Sequence, residues 1–387
     1  MNRLPLLLCI LIFFALLVTG AEPTTPPVTP PVDTTATTKA EAALGKKTAD
    51  EIERSSKMVK DDVAMAKLNA MAATIAPFTE RPGVIYTCKI IEDNDPNAMS
   101  IPGGTIYFTS ALLKAVESDD ELAGVMAHEM AHNSLGHVQK MLNSQARGNL
   151  AWLLATVASV FVRGSSGEVP PTAAISTMSS LVVQSLNNGY QEDMEAEADM
   201  HAVDYIYNSK KYDPLGIYSV MLGFKQMEQS RPADDPGYLR THPASKERLV
   251  AIEKRLKELG VSINLWRVLA FRAVMVPPKK DEKGYQLTMS GLTIVTLTEA
   301  NGSKTAAERI TTAATTINDI LRQHYIQQFN VDFTVIDENA YITFDRKPVL
   351  VLTAVDATAA GISLAMLAEN VSKNIKKAIW QEIVKHS

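Results

Sequence analysis

Apolar positions recur along the chain with two different periods, and the changes between them outline its elements. Residues 40–75 carry apolar positions among charges and alanines, the pattern of a helix pair leading into a first strand. Residues 84–91 and 101–108 are short apolar, β-branched runs of strand character. Ser118-Asp119-Asp120-Glu121 reads as a capping box, with Ser118 bonding a free amide of the first turn while Glu121 reaches back. The acids there suit the positive end of a helix. Leu122, Val125, Met126 and Met130 follow as a buried face, so a helix is predicted over residues 118–135, ended by Gly136. Residues 150–162 are apolar on nearly all sides, and residues 173–186 add a weakly polar run beyond Gly164-Ser165-Ser166-Gly167. Neither run is long enough to span a bilayer. Both predict buried helices beside a cleft, with a peripheral membrane contact as the alternative.

The last third has its own pattern. Leu292, Ile294 and Leu297, then Val331, Phe333 and Val335, then Tyr341, Ile342 and Phe344, then residues 349–352 read as strands. Ile310, Ile317 and Leu321 mark a helix between them, and Leu364, Leu367, Val371, Ile375 and Ile379 mark another over residues 363–383. A chain of 387 residues normally makes two domains, and a break is predicted near Pro277-Pro278-Lys279-Lys280. The fold class expected is α+β: a mainly helical domain over residues 40–262 with a small sheet, then a smaller α+β domain over residues 281–387. That second domain shows no catalytic constellation; His324 and His386 are isolated and read as surface residues.

Composition places the protein before it explains it. One positive charge, an almost wholly apolar stretch over residues 4–18 and the small residues Thr19-Gly20-Ala21 read as a secretory signal peptide over residues 1–21, with an uncleaved signal anchor as the alternative. Residues 22–39 are rich in Pro and Thr and predict an extended linker. Removing the signal removes Cys9 and leaves Cys88 alone, which suits a buried core thiol and forbids an intrachain disulfide. A formal charge of −5 and a pI near 5.9, without a basic stripe, argue against nucleic acid as a partner.

The chemistry lies in two helical segments. His128-Glu129-Met130-Ala131-His132 sets two histidines four apart on one helical face, where both imidazoles can aim at one metal ion. Glu129, one step round, can reach a water that the ion activates. A zinc ion that keeps one position open needs a third protein ligand, which one helix cannot supply. Glu195, in Glu195-Ala196-Glu197-Ala198-Asp199, is the choice for it, with Glu192 as a rival three residues back on the same face. Asp199, four residues on, shares the face and can fix the tautomer of a ligating histidine. Glu197 and His201 point elsewhere, roughly 200° and 240° round the helix.

His128-Glu129-x-x-His132 followed by Glu195-x-x-Ala198-Asp199 resembles the gluzincin family of zinc metallopeptidases that includes the CaaX prenyl endopeptidase, HtpX and BepA-type proteins. Asn97-Ala98-Met99-Ser100-Ile101-Pro102-Gly103-Gly104-Thr105-Ile106-Tyr107-Phe108 is similar to the strand before the family's metal helix. Thr241-His242-Pro243 with Arg248 is similar to the block after its third ligand. The resemblance covers roughly residues 50–260 and implies a zincin-like fold, one zinc ion per chain and peptide-bond hydrolysis. It makes Pro102, Gly103, Gly104, Thr105, Ile106 and Tyr107 a substrate-binding edge strand, which an apolar run after Pro-Gly-Gly suits. His242, before a helix expected over residues 243–259, is implied either as a donor to the oxyanion or, as in BepA-type relatives, as a fourth zinc ligand that holds the enzyme off. Arg248 then steadies that helix or a ligand carboxylate. His137, just past Gly136, reads as a packed histidine or one standing behind a ligand.

These assignments make Glu129 the general base that takes a proton from the attacking water and passes it to the leaving amine, with no protein nucleophile. The protein expected is an exported zinc metalloendopeptidase, periplasmic or secreted, acting on extended segments of unfolded or misassembled envelope proteins. The alternative is a latched, chaperone-like factor of the envelope assembly machinery in which proteolysis is occasional.

Overall fold

The structure is a computed structural model and describes residues 37–145, 172–229, 241–242, 245–281 and 283–385. The expected signal segment, the linker up to residue 36, the apolar run over residues 150–162 and His386 lie outside the described residues. The predicted helix pair forms as α1 (Lys39–Ser55), with the two-residue strand β1 (Met58–Val59), and α2 (Asp62–Ile75). Each helix starts on a side-chain cap: Thr38 accepts from the Glu41 amide and Asp61 from the Ala64 amide.

Strands β2 (Thr87–Ile91), β3 (Ala98–Ser100) and β4 (Thr105–Thr109) complete a sheet of order β1-β2-β4-β3, in which β2 and β4 are parallel and the outer pairs antiparallel. This corrects the expected edge strand. Pro102, Gly103 and Gly104 make the turn that folds β3 back onto β4, with φ of 88° at Gly103 and 93° at Gly104. Thr105, Ile106 and Tyr107 are therefore interior, paired on both sides, and among the described residues the free edge is Ala98-Met99-Ser100. A strand covered on both faces has the same unbroken apolar run as a short edge, and only the pairing partners, which local sequence does not encode, separate the two. Ile106 and Phe108 face the cluster built on α2, while Tyr107 faces Leu44 and Ile52 of α1.

After α3 (Ser110–Ala115) comes α4 (Asp119–Ser134), which carries the two metal-site histidines. Ser118 accepts from the Glu121 amide, but Glu121 reaches one residue farther back than a capping box, to the Glu117 amide at 2.6 Å. Its other oxygen takes the Ser219 hydroxyl at 2.6 Å. The expected single buried face is an understatement, because every residue from Glu121 to Ser134 is buried. Around it lie the sheet and the helices α5 (His137–Gln145), α6 (Thr172–Asn188), α7 (Glu192–Ser209), α8 (Leu215–Gln229) and α9 (Lys246–Glu258). On α6, Ile175, Met178, Val182 and Leu186 are buried in the cluster that holds Leu44 and Ile52 of α1. The α9 helix begins at Lys246, later than expected, because Ser245 caps the Arg248 amide. Among the described residues no helix is long and apolar enough to cross a membrane.

The C-terminal part holds two three-stranded antiparallel sheets: β5 (Ala273–Val276), β6 (Tyr285–Met289) and β7 (Leu292–Leu297) in that order, and β8 (Val331–Ile336), β9 (Asn339–Phe344) and β10 (Lys347–Thr353) with β9 central. Helices α10 (Ala306–Gln323), α11 (Ala354–Ala360) and α12 (Leu364–Lys385) complete it. The break expected at Pro277-Pro278 falls instead in the connection between the paired strands β5 and β6. The core of this part already begins at Trp266, Leu269 and Phe271. Among the described residues the fold is α+β: a helical part around one small sheet, followed by a part with two.

Candidate metal centre

One helical turn of α4 separates His128 from His132, and their rings meet edge to face with centroids 4.6 Å apart and Nε2 atoms 2.9 Å apart. Helix α7 packs across α4 and brings Glu195, whose Oε1 is 3.2 Å from His132 Nε2 and whose Oε2 is 3.5 Å from His128 Nε2. His242 arrives from the segment before α9, with Nδ1 3.0 Å from Glu195 Oε1 and 3.4 Å from His128 Nε2. One donor atom from each of these four buried residues lies within 4.8 Å of all the others. Glu192, the rival for the third position, is exposed and stands outside the cluster.

Three of the four donors are held from behind. His128 Nδ1 lies 3.0 Å from Asp199 Oδ1, and Arg248 grips Asp199 through Nε at 2.7 Å and Nη2 at 2.8 Å while its Nη1 lies 2.6 Å from Glu195 Oε2. On the other side His132 Nδ1 meets His137 Nδ1 at 2.7 Å, and His137 Nε2 meets Glu197 Oε2 at 3.1 Å. Helical spacing misses this relay, since Gly136, at φ 67°, turns the chain so that His137 comes back to His132. Sequence reasoning also missed Tyr190. Its ring stacks on His132 with centroids 3.7 Å apart and planes 14° from parallel, and its backbone N–H donates to the Thr241 carbonyl at 3.3 Å. A tyrosine in a link between two helices gives no periodic signal.

The donor set fits a small divalent ion. Zinc bonds of about 2.0–2.2 Å set tetrahedral donors roughly 3.3 Å apart; the closest donor contacts here run from 2.9 to 3.5 Å, and the whole set lies within 4.8 Å. Two imidazole nitrogens facing each other out of water need a proton or a cation between them. Electrostatics agree: burial would raise Glu195, but the His242 and His128 imidazoles hold it well below the usual carboxylate range. Burial and the neighbouring His128 and His242 push His132 far below its ordinary value. Burial, with the Glu129 and Glu195 carboxylates, pushes the Tyr190 phenol well up, and the Ser100 hydroxyl partly offsets it. Glu129 is fully buried beside the cluster; among the described residues neither of its oxygens has a hydrogen bond, and His242 Nε2 is 3.5 Å from Oε1. The predicted strand residues Pro102 to Tyr107 do not face the cluster as an edge; β3 is the strand that packs beside α4.

Comparison with known proteins meets this geometry from outside. Residues 63–256, half of the chain, match the model of Peptidase family M48, and residues 286–382 match a domain of unknown function, DUF8459. Metalloprotease LoiP of Escherichia coli is 27% identical over 173 residues, 45% of this chain and 64% of that protein. The beta-barrel assembly-enhancing protease of the same species is 21% identical over 220 residues, 57% of this chain and 44% of the relative. The mitochondrial metalloendopeptidase OMA1 of Schizosaccharomyces pombe is 26% identical over 179 residues, 46% of this chain and 48% of the relative. The chain thus spans less than two thirds of the length of each of these relatives. With the family model laid over the helices that carry His128, His132 and Glu195, the chain belongs to Peptidase family M48.

Proposed function

We propose that the protein is an exported zinc metalloendopeptidase that rests with His242 latched over its metal. The observation that carries this reading is the buried quartet of donors from His128, His132, Glu195 and His242. Nitrogen and carboxylate donors in this number suit zinc, and three of them with one open position are what a catalytic zinc site needs. In this arrangement His242 would be a fourth donor to the ion and would have to withdraw to leave room for a water. When bound, zinc would act as a Lewis acid on that water and on the scissile carbonyl.

The chain's own residues do the rest. Glu129 takes a proton as the water oxygen bonds to the carbonyl carbon, then delivers it to the amide nitrogen as the C–N bond breaks. Asp199 and Arg248 orient His128 and Glu195. Asn97 and Ile101 bond toward β4, so the backbone groups of Ala98 and Ser100 point to the open side, where an extended substrate adds as a further strand. The relatives' names, a metalloprotease and a beta-barrel assembly-enhancing protease, together with the apolar N-terminal segment, support export and action on unfolded or misassembled envelope proteins. A second reading, a chaperone-like assembly factor that cuts only occasionally, draws on the same His242 contact.

Zinc analysis and casein cleavage test both readings. The latch predicts one zinc per chain and faster cleavage by His242→Ala than by the intact protein. In that background Glu129→Gln should keep zinc and lose about 10²–10⁴-fold in turnover. A His242→Ala variant that loses activity makes His242 an oxyanion donor instead, and unchanged turnover in Glu129→Gln sinks the mechanism.

A further inference from the structure

Three elements that meet at the metal centre bury polar atoms there whose hydrogen bonding the described residues leave incomplete. Ser100 Oγ, both carboxylate oxygens of Glu129 and Tyr190 Oη are shielded from solvent and have no hydrogen bond of good geometry among the described residues, although the Ser100 hydroxyl stands by the Tyr190 phenol and His242 Nε2 lies 3.5 Å from Glu129 Oε1. Folded proteins rarely keep such groups, and where they do a ligand often completes them. Ser100 ends the free-edge strand β3, Glu129 follows the first histidine of the metal helix, and Tyr190 sits in the link between α6 and α7. A peptide laid along β3 would bring its carbonyl groups toward these residues.

Tyr190 is held in place without using its hydroxyl. Gly189, at φ 81°, turns the chain into it, its backbone N–H is fixed to Thr241, and its ring lies flat on His132 with only 7% of the residue exposed. The hydroxyl is therefore a preorganised donor that costs no rearrangement when a charge appears in front of it. His242, the donor suggested by the sequence, has its Nδ1 turned to Glu195 and His128 in the latched arrangement, and it must withdraw for the site to open.

We propose that Tyr190 is a catalytic residue whose hydroxyl donates a hydrogen bond to the oxygen of the scissile carbonyl as negative charge develops on it. The inference rests on the zinc-peptidase reading above. As the water oxygen bonds to the carbonyl carbon and its proton passes to Glu129, the π electrons move onto the carbonyl oxygen that Tyr190 meets. Tyr190 keeps its proton throughout. The pair returns when the C–N bond breaks and the amine takes the proton from Glu129.

The test compares full-length His242→Ala with His242→Ala/Tyr190→Phe, since phenylalanine keeps the stacked ring and removes only the donor. Zinc content and thermal midpoint should match. The kcat for a fluorogenic peptide should fall by about 10²–10³-fold with KM little changed. Calorimetry with a phosphinic peptide, whose tetrahedral oxyanion imitates the adduct, should show affinity weakened in parallel. Equal kcat and equal phosphinic affinity in two zinc-loaded proteins overturn the proposal, as does loss of zinc on removing the hydroxyl, which would make Tyr190 structural. A His242→Ala parent that holds no zinc or cleaves nothing overturns the latched-peptidase reading and takes this proposal with it.

Discussion

Arg248 allows two fully buried carboxylates, Glu195 and Asp199, to stand side by side behind the histidines, since its guanidinium reaches both. A buried charge without a partner would cost several kcal/mol, on the order of the loss seen when one member of such a pair is removed. The same carboxylates control when the metal can enter. Burial works against a charged His128, but Glu195 and Asp199 outweigh it and lift its pKa to about 10. Without metal, His128 thus holds a proton at any pH below that value, and an ion needs the free imidazole. Each ion bound at neutral pH therefore expels a proton, so apparent affinity drops about tenfold for each unit by which pH falls between roughly 8 and 6. Chelator competition at several pH values measures this, and a flat profile would falsify the linkage.

At the level of elements, the metal helix is placed by a close crossing. A Cβ on Gly216 of α8 would lie 2.1 Å from the Asp120 carbonyl oxygen, and one on Gly124 of α4 would lie 2.8 Å from the Ile217 Cα. Both obstacles are backbone and cannot give way. Gly216→Ala should therefore push α8 off α4 and destabilise the fold by about 1–3 kcal/mol. Gly223, on the same α8 helix, has nothing among the described residues within 4 Å of the place a methyl would take, so Gly223→Ala should stabilise by about 0.5–1 kcal/mol. Thermal unfolding of the two variants decides the point, and equal midpoints would remove the crossing as the cause. What the sequence made legible follows the same division between local and non-local. Ser118, Gly136 and the four-residue histidine spacing act within one helix, so α4 could be bounded to a residue or so. The pairing of β4 on both sides, the return of His137 to His132 and the stacking of Tyr190 depend on chain reversals and partners far away in sequence. Glu195 and Asp199 were readable because α7 offers them on one face, one turn apart.

For the whole molecule the question is what joins the core around α4 to the core that runs from Trp266 to Ile379. The paired prolines misled here, because a Pro-Pro in the connection between two strands carries the same local signature as one in a linker. Leu265 packs against both cores. Beside it the Asn264 side chain donates to the Leu321 carbonyl at 2.9 Å, in the last turn of α10, where carbonyls lack a helical partner. A second tie pairs Lys385, at the end of α12, with Glu117, just ahead of the Ser118 cap of the metal helix. It lies nearer the site, yet its lysine side chain is 56% exposed, and an exposed pair contributes about 0–1 kcal/mol. Asn264 is 4% exposed, so removing its amide strands a buried carbonyl at a cost of about 1–3 kcal/mol. The attachment should therefore rest on the buried amide: Asn264→Ala should lower the unfolding free energy by that larger amount in denaturant titrations, and Lys385→Ala by less than about 1 kcal/mol. The opposite order would make the ion pair at the head of the metal helix the true joint between the two cores.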